Sequence, residues 1–354
     1  MMKITSVKTI PIGNMRIIKL ETDEGITGLG EVAHDCHSDA VCFIVEKMGI
    51  SDAMRVEEFW QQRYNQTFWR GGPIWTSAVS GVEQALWDIT GKKLGVPVGQ
   101  LVGGQVRDKI KLYTHFGGNT PEEFAQSALN RVERGYKAIK TDPFGNAYQT
   151  MSAKEMRDTF QRVKATREAV GDDIDILIET HGRFNTTTAI QAGRMLEEFR
   201  PFFYEEPVGP DNLEEMAKVA ESVNIPIATG ERLYTRWGFR ELLERQIADY
   251  IQPDLCHAGG FWEVRKIAIM AEVYHIRVIP HNPNGPISTV IGLHLGACTP
   301  NFEMLETIFH STEHWQSILK EPPEPEDGWM RVPTGPGWGI ELNEEGIARL
   351  KRDA

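Results

Sequence analysis

From about Lys111 onward, short apolar runs alternate with longer stretches of helical period. The runs are "IKLYTHFGG", "YKAIKTDP", "ILIETHG", "FFYEEP", "IPIATGE", "YIQPDL", "RVIPHN" and "FEMLET". Most begin 23 to 27 residues after the one before, with one longer gap near 39. Stretches such as "PEEFAQSALNRVERG" and "FWEVRKIAIMAEVYH" fill the intervals with amphipathic helices. Short strands alternating with helices of this length predict βα units and a parallel sheet. Eight of them predict a (β/α) barrel of the TIM type. An open doubly wound sheet fits less well, because no G-x-G-x-x-G follows any of these strands.

The first third reads differently. "ITSVKTIPI", "MRIIKLETDE" and "ITGLGEV" predict three strands of a small antiparallel sheet, with "TDEG" as a turn. A helix over "SAVSGVEQALWDITGKKLG" follows, stopped by Gly95 and Pro97. After residue 320 comes the break "EPPEPEDG". The tail beyond it reads as a loop with a strand pair, too short to stand alone, that packs back on the N-terminal region. The expected division is 1–110, 111–320 and 321–354.

Side chains alternate faces along a strand, so in "DILIETHGRF" Leu177, Glu179 and His181 share a face. The other predicted strands also end in polar groups: Lys140-Thr141-Asp142, Glu205-Glu206, Gly230-Glu231-Arg232, Gln252-Pro253-Asp254, His281-Asn282 and Glu306-Thr307. The C-terminal strand ends of a barrel are where catalytic groups gather. Three carboxylates at one depth on successive strands, Glu179, Glu205 and Glu231, repel one another unless a cation lies between them. Hard oxygen donors select Mg²⁺ or Ca²⁺, and Mg²⁺ suits catalysis better. The competing reading is a ring of salt bridges at the barrel mouth. Glu206 is expected to face away from Glu205. His281 and Asp254 fall on adjacent strands, where an Asp bonded to one ring nitrogen orients a general base. His181 lies across the mouth and suggests a partnering acid.

These motifs together resemble the enolase superfamily in its mandelate racemase subgroup, and within it the acid-sugar dehydratases. The resemblance rests on "FWRGGPIWTSAVSGVEQALWDITGKKLGVPVGQLVGGQVRDKIKLY", "ETHGRF", "YEEPV", "TGERLYTR", "QPDLCHAGG", "PHNPNGP" and "MLET", and spans nearly the whole chain. It implies an α+β capping domain on a modified TIM barrel, closed by the C-terminal tail. It implies Mg²⁺ on Glu179, Glu205 and Glu231, and His281 with Asp254 abstracting the proton α to a carboxylate. Lys140 and Glu306 would assist at the enediolate oxygens, and His181 would protonate the departing 3-hydroxyl, giving a 2-keto-3-deoxy sugar acid from an aldonate such as galactonate or gluconate.

The chain departs from that pattern twice. Glu179 stands where an Asp is usual. Asp142 stands where the racemases carry the second Lys of a Lys-x-Lys, which argues against two-base racemisation and for β-elimination. A cycloisomerase or epimerase using the same enediolate is the alternative. Arg183, beside His181, and Asp142 are candidates for binding substrate. "GNMR" and "EVAHDCHSDA" are expected to form loops over the mouth, with His34, Asp35, His37, Trp69 and Arg70 as candidates for sugar hydroxyls.

Composition narrows this little further. A net charge of −12 disfavours nucleic acid and anionic membranes as partners. The four cysteines, Cys36, Cys42, Cys256 and Cys298, show neither C-x-x-C nor zinc spacing. The start "MMKITSVKTIPIG" has no apolar h-region, and no run reaches membrane-spanning length. The expectation is a cytoplasmic enzyme of sugar acids, assembled as a homo-oligomer.

Overall fold

The computed structural model describes residues 1–32, 38–309 and 311–353. Strands β1 (Ile4–Ile12), β2 (Met15–Thr22) and β3 (Thr27–Val32) form an antiparallel sheet in the order β1-β2-β3. The helix Gly72–Leu94 lies on this sheet so closely that a Cβ on Gly30 would stand 2.0 Å from the Gly81 carbonyl oxygen. Gly95 ends that helix with φ 73°, a left-handed cap that glycine takes without a Cβ penalty.

Eight parallel strands follow: β4 (Lys109–His115), β5 (Ala138–Thr141), β6 (Asp175–Glu179), β7 (Phe203–Glu205), β8 (Ile227–Thr229), β9 (Tyr250–Ile251), β10 (Arg277–Val278) and β11 (Leu305–Glu306). Each of β4 to β9 pairs in parallel with the next, and β11 pairs in parallel with β4. The Val278–Phe302 bridge links β10 to the approach of β11, and the barrel closes. Its interior holds Tyr113, Ala138, Leu177, Phe203, Ala228, Ile279 and Met304 in one buried layer. Two residues further along six of these strands stand His115, Lys140, Glu179, Glu205, His281 and Glu306. A period of two thus puts a polar layer directly on an apolar floor.

The tail divides its contacts. β12 (Pro325–Glu326) and β13 (Trp329–Arg331) form a hairpin, and β13 runs antiparallel to the lower half of β4. That strand pair therefore completes an edge that β11 leaves uncovered, rather than joining the N-terminal sheet. Beyond it, buried Trp338 donates its indole N–H between the Leu29 and Gln84 carbonyls, at 3.1 and 3.2 Å. The chain ends in a helix, Glu344–Asp353, where the sequence had suggested loop and strand alone, and Lys19 binds Glu344 at 2.6 Å. Among the described residues, no helix is long and apolar enough to cross a membrane, and Cys42, Cys256 and Cys298 are free thiols.

Candidate active site

The three strand-end carboxylates come together. One oxygen from each of Glu179, Glu205 and Glu231 lies within 4.8 Å of the others. Glu179 and Glu205 reach this point by strand alternation, in register at Glu179↔Glu205. Glu231 is out of phase with β8. Gly230, at φ 127° and with only 2.7 Å between a would-be Cβ and the Phe239 ring, bends the chain and re-aims it.

Lys140 stands among these acids, fully buried, with Nζ 3.1 Å from Glu179, 2.9 Å from Glu205 and 3.0 Å from Glu306. Burial opposes its charge, but Glu205 and Glu306 outweigh that and hold its pKa well above the ordinary value. Burial, and then the charge of Glu179, push Glu205 well above the carboxylate range. So the barrel mouth holds a carboxylate trio and a salt-bridge ring at once. Glu306 accepts from Lys140, from His115 Nε2 at 2.5 Å and from the Asn282 N–H at 2.7 Å. Burial works against its ionisation, yet the Lys140 charge and the His115 bond hold its pKa well below the usual range.

His281 Nδ1 lies 2.8 Å from Asp254 Oδ2, and its other nitrogen is 3.4 Å from Glu231 Oε2. Burial disfavours charge on the ring, but Glu231 and the Asp254 bond raise its pKa to about 10. Asp254 is fixed further by the Cys256 N–H at 2.6 Å and by Asn284 Nδ2 at 3.2 Å.

His181 also reaches the mouth, by another route than the alternation of β6. That strand ends at Glu179, and the chain turns through His181 (φ 55°) and Gly182 (φ 61°). The Thr180 and His181 N–H groups donate to Glu179 Oε1 at 2.8 and 2.7 Å, leaving Oε2 toward Lys140. The longer Glu side chain thus folds back onto its own turn. His181 Nδ1 lies 3.3 Å from Asp142 Oδ2. Glu206, at φ 38°, is buried rather than turned to solvent. It takes Arg232 at 2.5 Å, and burial, followed by the Glu231 charge, lifts its pKa to about 7.

A cavity of about 270 Å³ opens over these groups, lined by Lys140, Glu179, His181, Glu231, Asp254, His281 and Glu306. It is also lined by His115, Arg232, Tyr234, His257 and Asn284, which sequence reasoning did not single out. His115 was findable, since it sits two residues past inward-facing Tyr113. Larger clefts exist, such as the groove of about 760 Å³ beside Lys19, Lys320 and Glu341. There Lys19 pairs with Glu344 and Lys320 with Glu341, so size does not mark the site.

Four expected substrate contacts lie elsewhere. Arg183 pairs with Asp142 and donates to the Thr180 and Gly145 carbonyls at 2.8 Å each. Both residues support the His181 turn, and neither lines the cavity. Trp69 is 86% exposed against Phe68, and Arg70 stacks over Tyr64 at 5.2 Å. His34, with Asp35 and His37, lies outside the described residues. The "GNMR" segment is the β1–β2 hairpin turn, packed beside Pro283 and Gly285 near the mouth.

Comparison with known proteins agrees with this architecture. Residues 2–103 match the mandelate racemase/muconate lactonizing enzyme N-terminal domain, and residues 123–346 match the enolase C-terminal domain-like family. The chain is 36% identical to a D-galactonate dehydratase of Variovorax paradoxus, over 99% of this chain and 95% of that protein. It is 37% identical to one from Pectobacterium atrosepticum, over 100% and 95%. A solved enolase superfamily member from Salmonella Typhimurium superposes with TM-score 0.93 at 40% identity, covering 99% and 98% of the two chains. A mandelate racemase/muconate lactonizing enzyme from Sulfitobacter sp. gives 0.91 at 35% identity, over 98% and 94%. With both domains matched and relatives this similar along their full length, the chain belongs to the enolase superfamily.

Proposed function

We propose that the protein is a Mg²⁺-dependent dehydratase of an acid sugar, removing the proton α to the carboxylate and eliminating the 3-hydroxyl to give a 2-keto-3-deoxy acid. The observation that carries this reading is the His281–Asp254 pair, facing the carboxylate trio with His181 on the far side. The names of the 36–37% identical relatives support the substrate class.

The donor set fits a hard divalent cation. Among the described residues Glu231 Oε2 is buried without a hydrogen-bond partner, and the crowding that pushes Glu205 upward is what a cation relieves. Glu179, Glu205 and Glu231 would hold it, and when bound it supplies positive charge to stabilise the ionised carboxylate end of the substrate. Glu231 is the largest influence raising His281, so spending its charge on a cation leaves the imidazole nearer neutrality.

His281 Nε2 takes the C2 proton. Asp254 accepts the Nδ1–H, fixes the tautomer and steadies the charge that develops. Lys140 presents a fixed positive charge in the same polar layer. Glu306 acts through its neighbours: an ionised carboxylate already taking three donors has no proton to give an oxyanion, so it holds Lys140 and His115 in place. His181, steered by Asp142, protonates the leaving 3-hydroxyl. Position 142 carries no lysine, and its carboxylate is engaged by Arg183, so a Lys/His two-base racemisation lacks its second base.

The test is a screen of acid sugars with Mg²⁺, scored by semicarbazide trapping of 2-keto acid. Turnover without a 2-keto product would instead favour a cycloisomerase or epimerase. No turnover of any acid sugar overturns the reading.

A further inference from the structure

The two loops that carry the base pair are held from the N-terminal sheet and its helix. Glu31, at the end of β3, is fully buried. Its Oε1 accepts the Gly285 N–H at 2.5 Å and its Oε2 the Ser288 N–H at 2.9 Å. One comes from the N-cap residue and the other from the first turn of the helix Pro286–Cys298, which begins directly after the His281 loop. A carboxylate there is favoured both as a cap and by the helix dipole, yet this one comes from 254 residues away in the chain.

The contact leads on to the catalytic groups. Ser288 Oγ donates to Asn282 Oδ1 at 2.7 Å, and the Asn282 N–H donates to Glu306. Asn284, one residue before the clamped Gly285, bonds Asp254. Gln84 accepts from the Glu31 N–H at 2.8 Å and donates to the Leu255 carbonyl at 2.9 Å. Glu83, its neighbour, accepts the Phe261 and Trp262 N–H groups at 2.8 and 2.9 Å, holding the helix that follows the Asp254 loop. The fit is close at both grips. A Cβ on Gly285 would lie 2.7 Å from Glu31 Oε1, and one on Gly260 2.1 Å from Glu83 Oε2. Trp60 adds to this side, its indole N–H donating to the Gly259 carbonyl at 2.9 Å. The grip falls on the side of the barrel that carries the base.

We propose that Glu31 is a positioning residue for the His281–Asp254 pair, setting the base from the N-terminal domain. The inference rests on the assignment of His281 as base. Misplacing a catalytic group by about an ångström can cost on the order of 10²-fold in rate. In the Mg²⁺-loaded full chain, Glu31→Gln keeps the shape but turns an amide N–H toward a backbone N–H. It is expected to lower kcat and the rate of C2 deuterium exchange about 10²-fold, with KM and Mg²⁺ affinity unmoved, and Glu31→Asp should recover part of the loss. The low-field proton of the His281–Asp254 bond, identified by its absence in His281→Asn, should shift or broaden in Glu31→Gln. Should Glu31→Gln not fold, Ser288→Ala breaks the next link and is read the same way.

Unchanged kcat per folded molecule overturns the proposal. So does a lower melting temperature with the His281 proton unmoved, which would make Glu31 structural only. If the wild-type protein exchanges no α-proton, the base assignment fails by itself. The proton resonance then still decides whether Glu31 holds the pair, and an unmoved signal rejects it.

Discussion

Asn284 Nδ2 lies 3.2 Å from Asp254 Oδ2, the oxygen that meets His281 Nδ1 at 2.8 Å. The carboxylate that orients His281 is therefore itself oriented by the loop that carries His281. His281→Asn should abolish C2 exchange in deuterated solvent. Asp254→Asn leaves the ring present but in the wrong tautomer, and a loss of roughly 10²–10⁴-fold in kcat is expected. Residual exchange at the wild-type rate in His281→Asn would move the base elsewhere.

The acid role proposed for His181 can be separated from the base role proposed for His281 by the leaving group. General acid help is typically worth about 10²–10⁴-fold, and fluoride departs without a proton. His181→Asn should lose dehydration of the natural acid sugar by that order while retaining elimination from a 3-fluoro analogue. His281→Asn should fail on both. Equal loss on both substrates in His181→Asn would reject the acid assignment.

The proposed function makes metal dependence an expectation of the carboxylate trio. Exhaustive EDTA treatment should inactivate the protein, and Mg²⁺ should restore it. Glu205→Gln or Glu231→Gln removes one charged donor of the trio, so calorimetry should show weaker Mg²⁺ binding alongside lost turnover. Full activity after complete chelation would contradict the reading.

Stability should carry a signature of His294, far from the chemistry. The ring is buried, Nε2–H donates to the Trp338 carbonyl at 3.1 Å, and burial lowers its pKa from 6.5 to about 4. The unfolded chain therefore binds more protons between those values. The contribution of the neutral ring is present above pH 6.5 and is lost as pH falls toward 4. By pH 5 this amounts to about 2 kcal/mol. Urea midpoints at pH 7.5 and pH 5 should differ less in His294→Leu than in the wild type. An identical pH slope in the two proteins would show that His294 does not titrate in this way.

The eight βα units, the turn-linked antiparallel strands and the carboxylates Glu179 and Glu205 were legible from the sequence, because alternation along a strand and spacing between strands are local properties, whereas Glu231 joins them only through the bend at Gly230. His281 beside Asp254 was legible for the same reason, since neighbouring strands in a parallel barrel follow chain order. Partner choice was not. Arg183 looked like a substrate contact and instead binds Asp142, because the turn at His181 and Gly182 adopts left-handed backbone that alternation does not foresee. Lys140 among three acids, and His115 on Glu306, depend on closure of the barrel, which sets its first strand against its last. Glu31 on the helix after β10 depends on how the N-terminal sheet seats over the strand ends. The chain itself determined which groups stand at each strand end. Which of them touch was decided only when distant segments were packed together, since each buried charge must then find its partner among whatever the fold brings within reach.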